Sequence, residues 1–253
     1  MFTDKDPKDS DLKLKLTNYL KQVLELLGED PSREGLAGTP RRWAEALMEY
    51  TAGLQQDPEE HLKVIFQLDE DDFPAESDDM IIVDNIEFVS MCEHHIAPIR
   101  GIVHVAYIPN YNGGVVTGLS KLSRVVEVFA RRLQMQERMT QQIAQAIDKH
   151  LKPMGVFVIV HAVHYCMIQR GVRQTGSSTL TTARRGVFLK NPSLVRKAGR
   201  AFEADARQLV PVDDEIGGTV IYLGGRPAYY VLNDEWFEAV KMAADAVVTD
   251  LPG

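Results

Sequence analysis

The stretch VSMCEHHIAP places Cys92, Glu93, His94 and His95 inside a run that otherwise reads as a buried strand, and AVHYCMIQ adds His164 and Cys166. The chain has 2 cysteines and 7 histidines, so these two stretches hold both thiols and three of the imidazoles. Thiolate with imidazole is zinc-type ligation. Cys92 and His95 are three apart and converge on one ion only where the strand bends after Met91, which turns His94 away from the ion. On an extended strand residues two apart share a face, so His164 and Cys166 project together, and either could ligate while the other works on substrate. Three protein ligands with a fourth position left to water is the pattern of a catalytic zinc, where bound water becomes a nucleophile near neutral pH. A lone C-x-x-H arises by chance; the HYC stretch lifts the group above that background.

Those residues need elements to position them. Residues 1–10 are polar and read as disordered. Leu12 to Leu27 repeats apolar residues at helical spacing, with Gly28 as a stop. A second helix has Thr39 as its cap, Pro40 in its first turn and Gly53 near its end. The acidic run LDEDDFPAESDD, Leu68 to Asp79, reads as a linker. MIIVDNIEFVSM and GIVHVAYIP then read as a strand pair, SKLSRVVEVFARRLQ and QERMTQQIAQAIDKHL as helices, GVFVIVHAVHYCMIQ as one long strand, and SSTLTTARRGVF as another. The order ββααββ suits an α+β fold, an antiparallel sheet with a helix pair on one face. Farther on, GGTVIYLGGRPAYYVL reads as a hairpin turning at GGRP and NDEWFEAVKMAADAVVTDL as a helix, with no chemistry in either; Tyr229, Tyr230, Trp236 and Phe237 there need cover, which fits a structural or interface appendage. The expected division is residues 1–79, helices and acidic linker; 80–207, the catalytic domain; and 208–253, an extension.

Composition sets limits. At 253 residues, 45 % hydrophobic and 25 % charged, the chain can form one large core. No apolar run approaches the roughly 20 residues of a membrane span, and the acidic start is unlike a signal, so the expectation is a cytoplasmic protein without membrane contact. Two cysteines are too few for a disulfide scaffold. Residues 1–90 carry 22 acidic and 9 basic residues, whereas residues 91–190 carry 4 and 13. A basic middle in an acidic chain points to an anionic ligand held locally rather than to nucleic acid, the alternative being an interface with acidic neighbours.

The blocks SMCEHH, GLSKLSRVVEVFARR, QMQERMTQQIA, AVHYCMIQRGV and STLTTARRGVF, in this order, resemble the signature blocks of GTP cyclohydrolase I. The resemblance covers about Leu12 to Arg207 and is strongest from Ile82 to Phe188. It implies the tunnelling fold, a toroidal homodecamer of two facing pentamers, and conversion of GTP and water to formate and 7,8-dihydroneopterin triphosphate, the entry to folate and tetrahydrobiopterin. It implies zinc on Cys92, His95 and Cys166, activating a water that adds to C8 of guanine. His164 is then the residue that handles protons, and His94 the one that assists ring opening or the later ribose rearrangement; imidazole suits both tasks. Glu137 matches the carboxylate that receives N1–H and the amino group of guanine, with Gln136 beside it among the substrate contacts. Ser120, Lys121, Arg124 and Arg170 match sugar and phosphate contacts, and Arg42 is a weaker candidate. Guanidinium forks suit phosphate oxygens.

Other residues carry structural expectations. His104 and His161 read as structural, and His61 and His150 have no companions. Arg131, Arg132, Arg138, Arg184 and Arg185 read as interface or helix-end residues, and Glu93 as either orienting a ligand or facing solvent. The chain departs from the family pattern at Leu133, where many bacterial members have proline, at Glu45, where some carry a phosphate-binding lysine, and past Arg207. Two other functions fit the residues: a paralogue acting on another purine nucleotide or stopping at a ring-opened product, and a non-catalytic zinc-stabilised assembly. A regulatory partner is left open.

Overall fold

The computed structural model describes residues 7–68, 79–110, 113–207, 219–223 and 226–231. They divide into two compact units, Met1–Leu194 and Val195–Gly253.

In the first unit, helix α1 (Pro7–Leu26) starts earlier than the sequence pattern suggested. Pro7 needs no amide partner in a first turn, and Asp9 favours the positive end of the helix dipole; residues 7–10 are therefore helical, not disordered. Helix α2 (Thr39–Tyr50) begins with Thr39 already helical, after Gly38 and without a side-chain cap. Helix α3 (Glu59–Leu62) and strand β1 (Ile65–Gln67) follow. The acidic stretch expected to be a linker lies, but for Leu68 and Asp79, outside the described residues.

The expected order ββααββ is present: β2 (Ile81–Cys92), β3 (Pro98–Ile108), α4 (Leu119–Ala130), α5 (Gln136–Leu151), β6 (Gly155–His164) and β7 (Thr179–Gly186). Short strands β4 (Val115–Thr117) and β5 (Leu133–Gln134) are interleaved. Five strands form one sheet in the order β5-β2-β3-β6-β7, antiparallel except that β5 runs parallel to β2. A separate pair, β1 with β4, holds the segment that leads into α4, and Thr117 Oγ1 donates to the carbonyl of Val64 at 2.9 Å. Val103, Val105 and Tyr107 of β3 and Val156, Val158 and Val160 of β6 meet Val125, Phe129, Ile143 and Ile147 of α4 and α5 in a single core. The helix pair covers one face of the sheet, the arrangement of an α+β layer pair, while Ala106, Ile108 and Phe157 are buried on the opposite face of the central strands.

Two backbone features set the sheet. β2 carries a bulge between Val83 and Ile86, with Asn85 at φ 51, a left-handed conformation that asparagine tolerates. The Asn85 amide donates to Nδ1 of the buried His104 at 3.3 Å, which gives His104 the structural task expected of it. Gly101 lets β3 approach β6: a Cβ there would lie 2.1 Å from the His161 carbonyl oxygen.

The long strand expected through Gln169 is corrected. β6 stops at His164, and Tyr165–Ile168 is a single helical turn, α6. His164 and Cys166 are thus not two positions on one strand face. Helix α7 (Pro192–Arg207), which the sequence reading did not separate, follows β7 and runs into the second unit. That unit also contains the two strands of the expected hairpin, β8 (Thr219–Leu223) antiparallel to β9 (Arg226–Val231), with Leu223 opposite Arg226; the first two residues of GGRP lie outside the described residues. The helix expected after it lies outside the described residues.

Candidate metal centre

At Cys92 strand β2 ends in a turn closed from both sides. The Cys92 amide donates to the Ala97 carbonyl and the Ile96 amide to the Cys92 carbonyl, each at 2.8 Å. Ile96 adopts φ 49 within this turn. The bend expected after Met91 thus occurs one residue later, and it brings His95 Nδ1 to 3.9 Å from Cys92 Sγ. Across the sheet Ile99 pairs with His164, and the helical turn after His164 carries Cys166 back over the same end. One donor atom each from Cys92, His95 and Cys166 lies within 4.8 Å of the others.

The donor chemistry fits a zinc ion. Ligand atoms of a tetrahedral site sit about 3.5 to 3.8 Å apart at ordinary Zn–S and Zn–N lengths, so a small inward closure of side chains suffices. Burial pushes the Cys166 thiol up, the neighbouring Cys92 thiol adds to the rise, and Arg170 pulls it back. The Cys166 thiol thus resists ionising without a cation beside it, and a divalent ion displaces its proton. His94 Nδ1 lies 3.9 Å from Cys92 Sγ. It stands outside the three-residue group all the same and is 60 % exposed, with Glu93 3.8 Å away.

Glu93 meets α5. Its carboxylate pairs with Arg138, whose Nε also donates to Gln134 Oε1 at 3.2 Å. The Arg138 hydrogen bond holds the Glu93 carboxyl below its usual range. The Glu93 amide donates to the Gln134 carbonyl at 3.0 Å, so the turn is tied to β5 by backbone and to α5 by side chain. Neither link had a local signature in the sequence, because the partners are 41 and 45 residues apart.

His164 is half-buried; burial lowers its pKa and the nearby Glu137 carboxylate opposes that shift. Glu137 itself is exposed at the start of α5. Gln136, expected among the substrate contacts, is 1 % exposed and its side chain is spent internally. Its Nε2 donates to the carbonyls of Val160 and Thr179, both at 3.0 Å, and its Oε1 lies 2.7 Å from His164 Nε2. That corrects the expectation for its side chain: it contacts His164 and is closed to a ligand.

The basic candidates fall in separate places. Arg170 follows α6 and acts on Cys166. Ser120, Lys121 and Arg124 occupy the first two turns of α4. Lys121 and Arg124 face α3, where burial first and then their two charges hold His61 below its ordinary pKa; His61 thus has companions that the sequence did not reveal. Arg42 lies on α2, with Nη2 donating to Thr39 Oγ1 at 3.3 Å, and Glu45 pairs with Arg41 and Lys13. Arg131, Arg132 and Arg138 all engage neighbouring elements of the same chain. A groove of about 360 Å³ lined by Glu49, Glu87, Arg100, Glu127 and Arg131 among others includes none of the candidate site residues.

The family model for GTP cyclohydrolase I matches residues 16–202. The chain belongs to the GTP cyclohydrolase I family. Proteins named GTP cyclohydrolase 1 from Clostridium kluyveri and Pelotomaculum thermopropionicum are each 51 % identical to it, over 174 and 177 residues. These alignments cover 69 and 70 % of this chain and 89 % of each relative. The relative of that name from Campylobacter curvus is 48 % identical over 180 residues, 71 % of this chain and 90 % of its own. All of the candidate site residues fall inside the matched span of the GTP cyclohydrolase I model.

Proposed function

We propose that this chain is a zinc-dependent GTP cyclohydrolase I, opening the imidazole ring of GTP by hydrolysis, releasing formate and yielding 7,8-dihydroneopterin triphosphate, the first step of pterin synthesis. The observation that carries this reading is the convergence of Cys92, His95 and Cys166, from two distant stretches of sequence, at one end of the sheet, with His164 and Glu137 near one another beside them. When bound, zinc supplies the Lewis acidity that makes water a nucleophile near neutral pH.

The chain's own residues do the rest. Cys92, His95 and Cys166 hold the ion, and three ligands leave one position for reactants. Glu137, an exposed carboxylate, accepts two hydrogen bonds from N1–H and the amino group of guanine, a pattern adenine lacks. His164, half-buried and next to Glu137, takes and returns protons as the ring opens, and the exposed His94 serves the later steps. Lys121 and Arg124, with Ser120, bind triphosphate, and Arg170 adds positive charge near the thiols.

The tunnelling fold and a decameric ring belong to this reading, supported by the ββααββ order and by β7, which has a partner on one side only among the described residues. So does a cytoplasmic location; among the described residues no helix is long and apolar enough to cross a membrane.

The deciding experiment incubates the purified protein with GTP while following formate and pterin fluorescence, before and after chelation and zinc restoration. Formate and fluorescence together, lost on chelation and regained with zinc, are expected. Formate without a pterin, or turnover of a different purine nucleotide alone, marks a paralogue. No turnover with zinc restored overturns the proposal.

A further inference from the structure

We propose that Gln136 is a positioning residue that holds His164 in its Nε2–H tautomer, leaving Nδ1 as the nitrogen that exchanges protons with substrate. The proposal rests on the reading of His164 as the proton-handling residue.

Hydrogen-bond polarity decides the tautomer. Val160 O and Thr179 O lie 3.0 Å from Gln136 Nε2, and Thr181 Oγ1 lies 3.1 Å away. Carbonyl oxygens only accept, so the end of the amide that faces them is the NH2 end; flipping it would set three oxygens against one another. Oε1 therefore faces His164 Nε2, at 2.7 Å. An amide oxygen cannot donate, so Nε2 carries a hydrogen whatever the charge on the ring.

The neighbouring hydroxyls fix the same direction. Thr140 Oγ1 donates to the Gln136 carbonyl at 2.7 Å and lies 2.6 Å from Thr181 Oγ1. With its proton spent, Thr140 can only accept from Thr181, which leaves Thr181 Oγ1 to accept from Gln136. The direction of every link from His164 to Thr140 is then set, the two Gln136 Nε2 hydrogens being shared among three acceptors, in a chain spread over α5, β6 and β7. Gln136 is 1 % and Thr140 0 % exposed, so water has no access to replace a broken link. A satisfied buried network of this kind resists rearrangement, because turning one member leaves several groups unpaired.

The consequence is a division of labour within one imidazole. Nε2–H is a fixed handle, and Nδ1 carries the lone pair. A proton arriving at Nδ1 gives an imidazolium whose other N–H already has an acceptor.

The test reads the tautomer itself. The full-length, zinc-loaded protein, labelled with 15N histidine, is examined at a pH where His164 is neutral, and the His164 resonances are assigned by their loss in His164→Gln. A protonated Nε2 and a bare Nδ1 are expected. In Gln136→Met, which removes the acceptor but keeps the bulk, the signals shift toward the other tautomer and kcat for GTP falls about 10- to 100-fold, with KM changed by less than about 3-fold. Gln136→Glu, protonated in this buried place, still offers a carbonyl oxygen to Nε2 and restores the native tautomer with most of the lost kcat. A bare Nε2 in the native protein overturns the proposal, as does an unchanged tautomer in Gln136→Met. If Gln136→Met does not fold, the native spectrum alone decides. Absence of GTP turnover would instead sink the proposed activity and leave the tautomer measurement standing.

Discussion

Ile96 shows how the metal turn is held. A β-branched residue at φ 49 costs roughly 1 to 2 kcal/mol, and the two 2.8 Å hydrogen bonds across residues 92–97 keep it there. Ile96 is 52 % exposed, so little burial is lost on replacing it. Ile96→Asn should therefore stabilise the protein by about 1 kcal/mol, since asparagine adopts this conformation at lower cost, with zinc affinity unchanged; a denaturant midpoint that falls refutes the strain. His161 gives a second residue-scale expectation. Burial lowers its pKa, so the folded state prefers the neutral ring. That contribution is complete above the unfolded value of about 6.5 and is lost as pH falls through the folded value. Denaturant midpoints taken from pH 7.5 down to 5 should decline less steeply in His161→Gln than in the native chain. Equal slopes would remove His161 as a source of acid sensitivity.

Between elements, the Arg138–Glu93 pair joins the metal turn to α5. Either Glu93→Gln or Arg138→Leu should weaken zinc binding about 10-fold, measured by chelator competition, and the double change should weaken it little further because both remove one interaction. Undiminished affinity in both single variants would make the pair incidental. Gly101 is the corresponding point for β3 and β6: Gly101→Ala must push the strands apart at the His161 carbonyl and should cost about 1 to 3 kcal/mol in thermal or denaturant stability. These features also mark the limit of what the sequence revealed. Strand and helix periodicity exposed the ββααββ order, and Cys92, His95 and Cys166 were visible because their types are scarce in this chain. The end of β6 was not visible, since HAVHYCMIQ is equally apolar as strand or helix. Asn191 in NPSL does cap the start of α7, its Oδ1 accepting from the Ser193 amide at 3.0 Å, so that helix had a readable signal. The Gln136–His164 and Glu93–Arg138 contacts had none, because each depends on a register between distant elements.

At the scale of the molecule, the basic residues of the site do not gather in one chain as closely as the metal ligands do. Lys121 and Arg124 face α3, while Arg170 stands by Cys166. A sheet whose edge strand β7 spans Thr179–Gly186 with one neighbour among the described residues offers backbone groups to another strand, and an open edge of that length is a template for pairing. Closure of such edges into a ring, as the proposed family assembly requires, would set copies of the chain side by side around a continuous sheet. Sedimentation of the zinc-loaded protein should then give a mass near ten times the 28.4 kDa of one chain. The family match ends at residue 202, so a chain ending at Arg207 should sediment as the same multiple and turn over GTP at the full-length rate. A fully active species of single-chain mass would exclude the ring as a condition for catalysis. Loss of both assembly and activity in the shortened chain would instead assign the residues beyond Arg207 a part in building the enzyme.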